Sequence, residues 1–70
     1  MAWQEYEGKK VYILINTREG TRRYSGTINE VTFMGKSIEG VETYFLSLTD
    51  KFGAIVGFIS TQVQLIEEEK

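Results

Sequence analysis

Apolar and polar positions alternate along most of this chain with a period of two, and no segment sustains the period of a helix. Lys10-Val11-Tyr12-Ile13-Leu14-Ile15 is dominated by β-branched and aromatic side chains, the composition of a strand. Val11, Ile13 and Ile15 share one face of it, and Tyr12 and Leu14 the other. Asn16-Thr17-Arg18-Glu19-Gly20 reads as a turn with Gly near its end. A second strand is expected over residues 21–31, with Tyr24, Gly26 and Ile28 on one face. A mid-strand Gly is costly unless the strand bends or another backbone approaches there, and such a Gly is the usual device for curling a sheet.

Residues 32–40 hold Gly35, Lys36, Ser37 and Gly40 and read as a loop or flared hairpin tip. A third strand is expected over 41–49, with Tyr44, Leu46 and Leu48 alternating against Phe45, Ser47 and Thr49. Asp50-Lys51-Phe52-Gly53 has Asp to initiate a hairpin turn and Gly to accept positive φ. Residues 54–59 form a fourth strand, Ser60-Thr61-Gln62 one 3₁₀ turn, and residues 63–67 a fifth strand. Residues 3–7 are long enough for one helical turn. Five strands with short turns predict one all-β domain over residues 1–70, a small five-strand SH3-like barrel. Its expected core is Ile13, Tyr24, Ile28, Leu46 and Leu48.

Seventy residues change this picture in one respect. A chain this short buries about 60% of its unfolded surface, and its core supplies roughly 3–5 kcal/mol. Cys and His are both absent, which removes disulfides and the usual zinc ligands. Self-association is the support left to consider. No apolar run approaches the roughly 20 residues of a membrane span, and the first residues lack the blocks of a signal peptide, so a cytoplasmic location is the default expectation. The net charge of −2 is set by residues 67–70, because elsewhere seven acids balance seven bases.

The order of these features resembles the Sm and Sm-like family. Gly8-Lys9-Lys10-Val11 opens the first strand, Gly20 closes the turn, and Tyr24-Ser25-Gly26-Thr27-Ile28 fills a bent second strand. Leu46-Ser47-Leu48-Thr49-Asp50 matches the third-strand signature, and Phe58-Ile59-Ser60-Thr61-Gln62-Val63-Gln64-Leu65-Ile66-Glu67 is similar to the closing segment of prokaryotic members. The resemblance implies an Sm-like barrel that forms a cyclic homo-oligomer of roughly five to seven copies. It also implies an RNA-associated role, with single-stranded RNA at Lys36, Thr43, Phe45, Ser60 and Thr61. Members selective for uridine carry an Asn where this chain has Phe45, and Arg-Gly where it has Ser60-Thr61. Contact with little uridine preference is therefore expected. The ring would join fourth strand to fifth, burying Val56 and Phe58 against Leu65 and Ile66.

Other chemistry is thinly represented. Arg18, Arg22, Arg23, Lys9 and Lys10 suit phosphates, and equally suit solubility and the protection of strand edges. Glu5 with Glu7 and Glu39 with Glu42 are the close acids outside the tail, and acids in turns of so small a fold are ordinarily solvated. A nucleophilic Ser would lack a His base, so no enzyme, metal or cofactor is expected. The contrasting expectation is an SH3-like protein-interaction module with no nucleic-acid role.

Overall fold

The computed structural model describes residues 2–69. A 3₁₀ turn, Trp3–Tyr6, precedes β1 (Lys10–Thr17), β2 (Gly20–Lys36), β3 (Glu42–Asp50) and β4 (Ile55–Ile59). A second 3₁₀ turn, Ser60–Gln62, leads into β5 (Val63–Glu68). The strands form one antiparallel sheet in the order β4-β3-β2-β1-β5. The protein is all-β, as the alternation predicts.

β2 organises the sheet. Its first half pairs with β1, from Thr17 opposite Gly20 to Lys10 opposite Thr27. Its second half pairs with β3, from Gly26 opposite Asp50 to Lys36 opposite Glu42. Gly26 and Thr27 are the residues of β2 that pair with both β1 and β3. A Cβ at Gly26 would lie 2.1 Å from the Thr49 carbonyl oxygen, so no side chain fits there. Past this point β1 has ended and the N-terminal segment takes its place. The Gly8 amide donates to the Ile28 carbonyl at 2.8 Å, and the Ile28 amide donates to the Lys9 carbonyl at 3.0 Å. The Val31 amide then donates to Glu7 Oε2 at 3.1 Å.

β2 is longer than the pattern predicts, because residues 32–36 continue it instead of forming a loop. Register shifts between Ile28 and Glu30 and between Phe33 and Gly35 interrupt the period that defined the strand by sequence. The loop is reduced to residues 37–41, closed by an amide of Ser37 donating to the Val41 carbonyl at 2.9 Å.

Val11, Ile13, Ile15, Ile28, Tyr44, Leu46, Leu48 and Phe58 make the core, with Val11, Ile13, Ile28, Leu46 and Leu48 fully enclosed. Tyr24 is half-buried and packs against this cluster, where the sequence pattern predicts a buried ring. It stands opposite Ile13 but beyond the end of β3, so one side of its ring has no strand to cover it.

The sheet curls but is not closed, since β4 and β5 are its two edges and do not pair with each other. The Ser60–Gln62 turn limits their separation at one end. A link of three residues spans at most about 14 Å between flanking positions. The curl is therefore tight enough to wrap the core, while both edge strands keep a free side.

Leu46→Ala is expected to cost about 2–5 kcal/mol, comparable with the roughly 3–5 kcal/mol of the isolated domain. Urea unfolding checks this, and an unchanged midpoint would show that this face is not the energetic core. Gly26→Ala should be more damaging still, because its methyl group meets backbone that cannot rotate away.

Candidate nucleic-acid interface

The residues singled out by sequence fall into three places. Lys36 stands opposite Glu42 near the tip of the β2–β3 hairpin. Thr43, Ser60 and Thr61 come together where β3 begins, because the second 3₁₀ turn packs on that end of the strand. Phe45 lies one step further along, opposite Thr32 on β2 and Ile59 on β4.

Structural duties occupy two of these side chains. Ser60 is buried, and its Oγ accepts the amide of Tyr44 at 2.9 Å. Phe45 is half-buried on the outer face, and its ring lies across Gly57 of β4, where a Cβ would stand 2.9 Å from Cζ. An aromatic laid over a glycine of an edge strand replaces the side-chain packing that the glycine lacks. Thr43 is half-buried and Thr61 exposed, while Lys36 is exposed.

The expected interface residues divide differently. Phe58 is 4% exposed within the single chain, so its burial between subunits does not stand. It faces Leu46 across the β3–β4 ladder, on the inner side of the sheet. Val56, opposite Leu48, and Ile66, opposite Ile13, also pack against the core and are half-buried. Ile66 pairs with Ile13 on the inner face and Leu65 with Leu14 on the outer face, and the bulge between Leu65 and Val63 returns Val63 to the inner face opposite Ile15. Leu65 is 39% exposed, and on the outward face of β4 Ile55 is 74% exposed while Ile59 is half-buried.

A second site emerges that the sequence pattern does not assemble. β2 outruns β3 at Gly26, so Arg23, Tyr24 and Ser25 lie beside the β3–β4 turn. With Tyr12, Asp50, Lys51 and Phe52 they line a cleft of about 230 Å³. An adjoining hollow shares Ser25, Asp50 and Lys51 and runs on to Lys10 and Glu69. The turn is held by Asp50, whose Oδ1 accepts the amides of Phe52 and Ala54, each at 2.9 Å. Gly53, at φ 86°, supplies the left-handed residue that closes it. Phe52 is thereby fixed at the tip, 84% exposed, with the Lys51 ammonium 5.4 Å from its ring centroid. Arg23 and the two Tyr were visible in the sequence as a base and as strand aromatics. The offset of β3 against β2 that gathers them was not.

Comparison with family models, curated proteins and solved structures finds no match.

Ser60→Ala leaves the Tyr44 amide buried without an acceptor and should cost about 1–3 kcal/mol. Ser60→Thr, which keeps the oxygen, should recover part of that loss. Thermal melts of the two variants provide the check.

Proposed function

We propose that this protein is an Sm-like small barrel that assembles head to tail into a closed ring and serves as an RNA-associated scaffold. One observation carries the reading: each edge of the sheet leaves an uncharged, largely apolar stretch unpaired. β4 reads Ile55-Val56-Gly57-Phe58-Ile59, with no charge and no Pro, and β5 reads Val63-Gln64-Leu65-Ile66 before Glu67 and Glu68 charge its end. Free edges of this composition invite pairing, and stable monomers blunt them with Lys, Pro or a covering element.

The two edges belong to opposite ends of one curled sheet, so pairing β4 of one copy with β5 of the next repeats in one direction. Such a contact must close into a ring or grow into a fibre. The half-covered Val56 and Ile66 would complete their burial against the neighbouring copy, and Ile55 and Leu65 would gain cover. Burying one such side chain is worth roughly 1.5–3 kcal/mol, a sum that matters beside a core of this size. The RNA-associated part rests on the family resemblance, on the outer-face position of Phe45 and on the cationic and aromatic side chains at both ends of the sheet.

Light scattering at micromolar concentration tests the assembly. The expected mass is a multiple of 8.0 kDa, roughly five to seven copies. Ile55→Lys with Leu65→Lys should return a folded monomer, since both side chains are already exposed and the core is untouched. A wild-type monomer would sink the ring and favour an SH3-like module that receives a strand from another protein.

A further inference from the structure

We infer that the cleft between β2 and the β3–β4 turn is a binding site for one unpaired base of single-stranded RNA. This rests on the RNA-associated reading above and is independent of the ring. The cleft differs from the Thr43, Phe45 and Ser60 region, from which it is separated by the length of β3.

Size comes first. A volume of about 230 Å³ falls below the roughly 300–1,000 Å³ of pockets that enclose whole small ligands. It suits a single planar group, with the remainder of the ligand outside. The adjoining hollow past Ser25, Asp50 and Lys51 leaves room for that remainder, with Lys10 and Lys51 set against Asp50 and Glu69.

The lining points the same way. Phe52 offers an exposed ring beside Tyr12, while Tyr24 lines the cleft with a ring that packs against the core, and every base has a π-face that an exposed ring accepts without regard to sequence. Phe52 has no structural reason to be aromatic, because it is 84% exposed at the tip of a turn held by Asp50 and Gly53. Arg23 and Lys51 stand beside the rings as phosphate partners. Asp50 is the opposing charge, and its Oδ1 already accepts two amides. Ser25 is engaged with Glu69 through its hydroxyl, which leaves recognition to the rings and the cations. A base within a duplex cannot reach such a cleft, so the strand must be single. A proline-rich peptide would also use the rings but would leave both cations without a counter-charge.

Fluorescence anisotropy with labelled oligo-adenylate and oligo-uridylate at about 50 mM salt is the test. Phe52→Ala should weaken both oligonucleotides about tenfold or more with an unchanged melting temperature, as removal of one stacking ring does. Arg23→Ala and Lys51→Ala should each lower the slope of log affinity against log salt by about 0.7. The Ile55→Lys, Leu65→Lys monomer should keep the sensitivity to Phe52→Ala, which separates failure of the ring from failure of the cleft. Wild-type affinity in Phe52→Ala overturns the site, as does equal competition by duplex RNA. Binding of a proline-rich peptide that is lost in Phe52→Ala, with no RNA binding, would assign the cleft to peptides instead.

Discussion

The close approach of two backbones at Gly26 is the constraint from which the rest of this fold follows. β2 can serve both β1 and β3 because at this residue it turns from one to the other, and the Thr49 carbonyl occupies the space a side chain would need. The turn leaves each half of β2 with one side open. The Gly8, Lys9 and Glu7 contacts fill the open side beyond Ile28. Among the described residues no strand pairs with Arg23 to Ser25 beyond the end of β3, and the cleft lies there.

The same geometry sets the stability problem. One curled sheet must enclose its own core, and it does so with eight buried apolar residues drawn from β1 to β4. Phe58 is spent on that enclosure. β5 supplies only half-buried Val63 and Ile66. The strands at the two edges therefore carry apolar surface that a single copy covers in part, in a domain whose size leaves little margin.

Two of the residues that the resemblance marks for RNA have work inside this chain. Ser60 ties the second 3₁₀ turn to β3, and Phe45 covers Gly57. A hydroxyl or ring so engaged has less freedom to follow a ligand. Phe52 and Lys51, on a turn that owes its shape to Asp50 and Gly53, have no such engagement with the core. Phe52 and Lys51 thus stand, exposed, at the opposite end of β3 from the residues that the resemblance marks.

The sequence by itself determined the five strands, the antiparallel turns, the Ser60–Gln62 turn and most of the core, because side-chain alternation and turn chemistry act between near neighbours. It also marked Gly26 as a bend, since a glycine there has no other local use. The extension of β2 to Lys36 was hidden by two bulges, each of which breaks the period on which the reading depends. The side on which Phe58 and Leu65 lie was decided by the tertiary structure. Alternation says which residues share a face, and only the curl of the sheet and the register of β4 on β3 and of β5 on β1 say which face is inside. The cleft belongs wholly to the tertiary structure, because it comes from the offset of β3 against β2, a register between strands that no local pattern encodes.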